Sequence, residues 1–285
     1  MASPRLIATV AEMRRQAAMA HALSQRIAFV PTMGALHAGH VSLLTEARKH
    51  GDLLVLSIFV NPTQFGPRED FGKYPRSLDA DVDKARAAGV DLVFHPEAAE
   101  MYPDGYQTFV EVRKLQEGLC GASRPGHFVG VATVVLKLFH IVQPHVAFFG
   151  EKDFQQLQVI KRMVRDLDVA VAIVGMPIVR EPDGHALSSR NAYLSAEDRV
   201  RARALSRGLF AAQQKFAGGE RDAGALHAAA AEVLAGTDGI RLDYLELRDA
   251  ETLEPVAATV ARPSVLAVAA FVGATRLIDN VSLRA

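Results

Sequence analysis

DLLVLSIFVNPTQFG, Asp52 to Gly66, joins a nearly unbroken apolar run to an Asn-Pro turn and a glycine. An apolar run of this length, closed by turn residues, reads as a strand buried on both faces, as in a parallel sheet. The flanking sequence agrees. RIAFVP, Arg26 to Pro31, is a shorter apolar run stopped by proline, and HVSLLTEARKHG, His40 to Gly51, has helix spacing. SLDADVDKARAAG (Ser77 to Gly89) places acids early and bases late, matching a helix macrodipole, and DLVFHP follows as a strand. VAFFG (Val146 to Gly150) is a further strand, followed by the amphipathic FQQLQVIKRMVRDL. This rhythm implies right-handed βαβ units and an α/β fold with a Rossmann-like, doubly wound parallel sheet.

The rhythm changes after about Arg180. Two Ala-rich helical segments, AEDRVRARALSRGLFAAQQKFAGG and AGALHAAAAEVLAG, precede three strand-like runs, RLDYLELRD, SVLAVAAFVG and TRLIDNVSL. Helices followed by closely spaced strands predict a smaller C-terminal α+β domain with an antiparallel sheet. The expected division is a Rossmann-like domain over 1–178 and a C-terminal lid domain over 179–285, the boundary falling near residues 175 to 185.

Lys plus Arg and Asp plus Glu each total 32 of 285 residues, so the net charge is zero, which argues against a general nucleic-acid or membrane-surface binder. Cys120, the single cysteine, excludes an intrachain disulfide and a cysteine-based zinc cluster, and suits a reducing compartment. MASPRLIATVAEMRRQ has no uninterrupted apolar core of a signal peptide. The most apolar stretches, VGVATVVLKLFHIV and VLAVAAFVGA, fall short of the roughly 20 residues that span a bilayer. A cytoplasmic protein is expected.

Four stretches lie at or near the carboxyl ends of strands, where open α/β sheets bind ligands. In PTMGALHAGH, Pro31 to His40, Gly34 and Gly39 let a flat ligand or phosphate come close. A helix beginning around Gly39 or His40 would turn its N–H groups to an anion, with His37 and His40 as phosphate donors able to carry positive charge at a mildly shifted pKa. In NPTQFG, Asn61 and Gln64 can both donate and accept, suiting a substrate with hydroxyl and carboxylate groups. GEKDFQQ offers Gly150 for close approach, Lys152 for phosphate and Asp153 for a helix cap or a ribose hydroxyl; of Gln155 and Gln156, at most one enters a pocket. ALSSRN sets two hydroxyls beside Arg190 as a mobile anion clamp, and the glycines and prolines between Gly175 and Arg190 leave room for a closing loop. Arg124, in GASRPGH, could serve a substrate carboxylate, although a structural role is favoured. Each stretch also has a plain reading, as a turn, a capped helix or a solvated cation. No P-loop pattern, no GxGxxG and no GxSxG is present.

Together PTMGALHAGH, FVNPTQFG, YPRSLDAD, RPGHF, FFGEKDFQQL and LSSRNAYLS resemble the pantothenate synthetase family, whose HAGH belongs to the wider HIGH-type nucleotidyltransferases. The resemblance implies an ATP-dependent ligase that joins pantoate to β-alanine through pantoyl adenylate, with Mg²⁺, as a homodimer. It places Met33, Gly34, Ala35, Leu36, His37, Ala38, Gly39 and His40 along the ATP site, His37 and His40 on the phosphates and His40 in the principal catalytic role. Lys152 and Arg190 would join them on the phosphates. Gly150, Glu151, Lys152 and Asp153 would contact the nucleoside, Val179 the adenine through its backbone, and Leu187, Ser188, Ser189 and Arg190 would close over the phosphates. Gln64 and Gln156 would hold pantoate, with Asn61 and Met33 lining the same substrate site. Asp81 would stand near metal-bound phosphates, with Ala80 offering no second carboxylate. Thr63, where the family pattern has Met, and His185 also depart from it. A cofactor-forming adenylyltransferase is a rival that the neutral pair Asn61 and Gln64 argues against, and a non-catalytic ATP sensor one that intact His37, His40, Lys152 and Arg190 argue against.

Overall fold

The computed structural model describes residues 3–67 and 69–284, which group into two compact units. One comprises Met1–Arg113, Arg124–Glu151 and Val159–Pro177, the other Lys114–Ser123, Lys152–Gln158 and Ile178–Ala285. Among the described residues no helix is long and apolar enough to cross a membrane.

The first unit carries an all-parallel sheet of strands β1 (Arg5–Ile7), β2 (Ile27–Thr32), β3 (Leu53–Ile58), β4 (Leu92–Phe94), β5 (Val146–Gly150) and β6 (Ala172–Met176), in the order β1-β4-β3-β2-β5-β6. Its helices include α1 (Val10–Ala22), α2 (Ala38–Ala47), α3 (Leu78–Ala87), α4 (Ala98–Met101) and, after α5 (Leu119–Ser123) of the second unit, α6 (His127–Val142). The double burial expected of Asp52–Asn61 is seen in β3, where every residue from Leu54 to Ile58 is buried. Ala28, Val30, Leu54, Leu56, Val93 and Phe148 pack with Leu43, Leu44 and Ala47 of α2 and Ala85 of α3. On the opposite face Phe29 and Phe149 meet Phe139 of α6 edge to face, with ring centroids 6.5 and 6.4 Å apart.

The strand order turns back at β2. The chain steps outward through β3 and β4, then returns to lay β5 on the other side of β2. That reversal makes the carboxyl ends of β2 and β5 the topological switch point, where doubly wound sheets hold ligands. The three-residue strand β1 had no signal in the sequence, since only Ile7 of its residues is buried.

At the opposite end of the sheet, His145 ties β5 to β2. Its Nδ1 accepts from Ile27 N–H at 2.9 Å, and its own backbone N–H donates to Ile27 O at 2.9 Å. Burial, reinforced by His21 and Arg26, lowers the His145 pKa below the ordinary 6.5. The unfolded chain therefore binds more protons between the lowered value and 6.5, so stability is complete above about pH 6.5 and falls as pH drops through that window. The melting temperature should fall on acidification there, and less steeply in His145→Asn, whose amide oxygen keeps an acceptor near Ile27. Equal slopes in thermal melts of the two proteins would contradict this.

The second unit contains α8 (Ala196–Ala217), α9 (Ala223–Ala235) and an antiparallel sheet of β7 (Ile240–Asp249), β8 (Ser264–Val272) and β9 (Thr275–Leu283), in that order. The intervening helix α7 (Phe154–Asp166) contributes its first residues to this unit and the rest to the first. Ala204, Leu205 and Leu209 of α8, Leu226 and Ala230 of α9, and Leu266, Val268 and Ala270 of β8 form its core. Ser195 and Asp222 cap the two long helices by accepting from Asp198 N–H and Ala225 N–H.

Candidate functional site

Beyond Thr32 the chain turns sharply. Thr32 Oγ1 donates to Ser57 O at 2.8 Å and accepts from Gly34 N–H at 3.2 Å, fastening the turn to β3. Gly34 has φ +82°, and a Cβ there would lie 3.0 Å from both Asp81 Oδ2 and Ile58 Cγ2. Ala35 follows at φ +50°, a strained conformation for a side-chain-bearing residue. Asp81, in the first turn of α3, supports it: Oδ2 accepts from Ala35 N–H at 2.8 Å and Oδ1 from Leu36 N–H at 2.7 Å. Asp81 is 1% exposed, and Lys84 Nζ donates to Leu36 O at 2.6 Å one turn later. The carboxylate expected near a metal-bound phosphate thus braces the backbone of the HAGH turn. Among the described residues no three His, Cys, Asp or Glu side chains gather as a metal site.

The helix α2 begins at Ala38, one residue before the sequence suggested, because His37 is its N-cap. His37 Nδ1 accepts from Gly39 N–H at 3.1 Å, and His40 Nδ1 accepts from His37 N–H at 3.3 Å, a reciprocal capping box made by two imidazoles. With Nδ1 of each ring turned to a backbone N–H, Nε2 is the nitrogen placed to donate to a ligand. The ring centroids are 4.1 Å apart, a spacing that disfavours two cations. The phosphate donors expected from the sequence thus stand together at a helix N-terminus.

Asn61 and Gln64 divide their roles. Asn61 Oδ1 accepts from Thr63 N–H, Thr63 Oγ1–H and Tyr102 O–H at 3.4, 3.0 and 2.9 Å. Burial pushes Tyr102 up to about 12, keeping the phenol protonated as a donor. With that oxygen placed by a backbone N–H, Asn61 Nδ2 faces Gly130 O at 3.1 Å and Gln64 Oε1 at 3.2 Å. Both amide protons are used and Asn61 is 1% exposed, so it positions Gln64 rather than meeting substrate. The orientation passes along: Gln64 Oε1 faces Asn61, and Gln64 Nε2 points to Met33 Sδ at 3.1 Å with a second N–H still to give. Arg124 is paired with Glu69, as its structural reading favoured.

In the second unit, Gln155 is buried, accepting from Cys120 N–H at 3.0 Å and donating to Leu115 O at 3.0 Å, while Gln156 is half-buried. The two glutamines therefore separate into one structural and one accessible residue, as their spacing suggested. Lys152 O accepts from Asn280 Nδ2 at 3.0 Å, fixing the backbone that carries the Lys152 side chain. Val179 and Leu187 belong to a short hairpin in which Leu187 N–H donates to Val179 O at 3.0 Å and Arg180 bridges Ala186. Arg180 anchors the hairpin through a two-pronged pair with Asp279 of β9, at 2.7 and 2.9 Å. The segment expected as a closing loop is bonded across itself as far as Leu187. Beyond it, Ser188 Oγ accepts from Arg190 N–H at 3.3 Å, which caps the 3-10 turn Ser189–Tyr193.

The profile of the family described as Pantoate-beta-alanine ligase matches residues 5–282. A pantothenate synthetase of Geobacter sulfurreducens is 55% identical over 279 residues, covering 98% of each chain. One from Thermotoga neapolitana is 52% identical over 279 residues, 98% of this chain and 99% of that one. The crystal structure of a pantothenate synthetase from Thermus thermophilus superposes with a TM-score of 0.93 at 46% identity, over 99% of this chain and 100% of that one. A pantoate-beta-alanine ligase of Francisella tularensis, complexed with beta-gamma ATP and beta-alanine, gives 0.78 at 33% identity over 98% and 97%.

Proposed function

The chain belongs to the pantoate-beta-alanine ligase family, and from that premise we propose how its own residues carry the reaction. The activity is the ATP-dependent condensation of pantoate with β-alanine to pantothenate, AMP and pyrophosphate through pantoyl adenylate. The observation that carries the assignment of residues is the capping box, which fixes Nε2–H of His37 and His40 at the N-terminus of α2, beside the sheet's switch point.

The pantoate carboxylate attacks the α-phosphorus of ATP in line, and pyrophosphate leaves. The Nε2–H groups donate to phosphate oxygens as charge moves onto the leaving group, aided by the α2 dipole. Lys152 and Arg190 add positive charge to the phosphates, and Ser188 and Ser189 add hydroxyl donors. Gly150, Glu151 and Asp153 meet the nucleoside, Val179 meets adenine through its backbone, and Gln64 and Gln156 hold pantoate. The amine of β-alanine then attacks the acyl carbon, and AMP leaves. No enzyme nucleophile takes part. Mg²⁺ would be held with the triphosphate, as Mg²⁺ commonly is, and would neutralise phosphate charge there. Cytoplasmic residence and a homodimer complete the proposal, and sedimentation reads the second.

The test is exchange of labelled pyrophosphate into ATP without β-alanine. Exchange that requires pantoate, and AMP release once β-alanine is added, are the expected results; exchange indifferent to pantoate would exclude the adenylate as the first product. Gln64→Ala should raise the KM for pantoate by about tenfold through the loss of a buried donor, with KM for ATP within twofold. Equal loss of both affinities would remove Gln64 from the pantoate site.

A further inference from the structure

We propose that Glu69, Arg124 and His127 form a positioning cluster that sets the place of Gln64 and through it the hold on pantoate. The proposal rests on Gln64 as a pantoate-binding residue. Gln64 ends a single 3-10 turn, Pro62–Gln64, which has little internal support. Its support comes from across the unit. Gln64 O accepts from His127 Nδ1–H at 2.8 Å and from Arg124 Nη2–H at 3.3 Å.

A carbonyl brings no proton, so His127 Nδ1 carries it, and His127 Nε2 accepts from Arg124 Nη1–H at 3.0 Å. Arg124 Nε and Nη2 grip Glu69 Oε1 and Oε2 at 2.6 and 2.7 Å. Glu69 Oε2 also accepts from Gly66 N–H at 3.2 Å, which returns the chain of bonds to the residues just after Gln64. The guanidinium thus satisfies a carboxylate, an imidazole and a carbonyl at once, a task for its planar fork of donors. The Arg124 and Glu69 side chains are 14% and 27% exposed, so solvent screens the pair less than it would a surface pair. Although burial opposes it, Arg124 holds the Glu69 carboxyl below the usual range.

The helix α6 backs this arrangement. Gly130 lies one turn beyond His127, and a Cβ on it would come within 2.4 Å of Thr63 O and 2.7 Å of Gln64 N. One end of α6 therefore fixes Gln64 three ways: His127 holds its carbonyl, Gly130 abuts its nitrogen, and Gly130 O orients its amide through Asn61. None of the three cluster residues needs to touch pantoate. Loosening them displaces the one Gln64 N–H left to give, and small misplacements of a binding group carry large kinetic costs.

The experiment uses the full chain in the pyrophosphate-exchange assay, varying pantoate at saturating ATP and then ATP at saturating pantoate. Glu69→Gln and Arg124→Lys are each compared with wild type, with the double variant and with Gln64→Ala. Each single variant is expected to raise the pantoate KM by about five- to tenfold while the ATP KM and kcat stay within about twofold. The double variant should add less than about twofold to the larger single effect, because the two residues act in series on Gln64. If Arg124→Lys is not recovered folded, the near-isosteric Glu69→Gln carries the same reading alone. The proposal is overturned if Gln64→Ala raises the pantoate KM and the cluster variants do not, or if they raise both KM values alike, as a general loosening would. An unchanged pantoate KM in Gln64→Ala would instead overturn the role of Gln64, and the proposal with it.

Discussion

His40→Asn should lower pantoate-dependent pyrophosphate exchange by about 10²–10³-fold, the usual effect of removing one preorganised donor to developing charge. Its thermal stability should stay close to that of wild type. The two effects separate because the two ring nitrogens do different work. His40 Nδ1 accepts from His37 N–H, whereas Nε2 is the nitrogen proposed to meet phosphate. The amide oxygen of asparagine stands near the place of Nδ1 and preserves the cap, but nothing in asparagine reaches the place of Nε2. His40→Gln is the reverse substitution: its longer amide reaches the Nε2 position and gives up the cap. It should recover part of the exchange rate at a lower melting temperature. Near wild-type exchange by His40→Asn would remove Nε2 from the chemistry, and a matching collapse of stability in that variant would reassign the residue to the fold.

Asp81→Asn tests the other half of the same turn. Ala35 and Leu36 N–H both point at the buried Asp81 carboxylate, and an amide must turn its NH₂ toward one of them. That leaves a buried donor unpaired, at a cost of about 1–3 kcal/mol, and removes the support from Ala35 at φ +50°. A melting temperature lower by several degrees is expected, with KM for ATP raised about tenfold as the HAGH turn relaxes. A magnesium ligand would behave differently. The variant would then melt as wild type does and would need more Mg²⁺ for half-maximal exchange. A thermal melt beside a Mg²⁺ titration separates the two outcomes.

The residues that line the HAGH turn were legible because their types are unusual in that pattern: proline and two glycines after an apolar strand, with two histidines three apart. Which ring nitrogen faces the helix was not, because only the fold sets the backbone N–H groups of His37 and Gly39 against the two Nδ1 atoms. Asn61 and Gln64 carry the same functional group three residues apart, so sequence could not tell the residue that orients from the residue that presents. Tyr102 and Gly130, far along the chain, make that distinction by completing, with Thr63 and Gln64, the set of partners on Asn61. Glu69, Arg124 and His127 were hidden for the same reason, since 55 residues separate the ion-paired residues.

The sequence by itself determined the two-part architecture and the places of the glycine-bearing turns after the strands. Apolar runs long enough to bury both faces of β3, helix spacing between them and glycines after the strands are local properties of the chain. Tertiary structure alone decided which polar groups are spent. Whether a carboxylate such as Asp81 faces a ligand or a backbone turn depends on which helix end arrives beside it, and whether an amide donates outward depends on which acceptors the fold has already supplied. A buried polar group must find partners within the fold, and those partners come from elements that sequence spacing does not bring together.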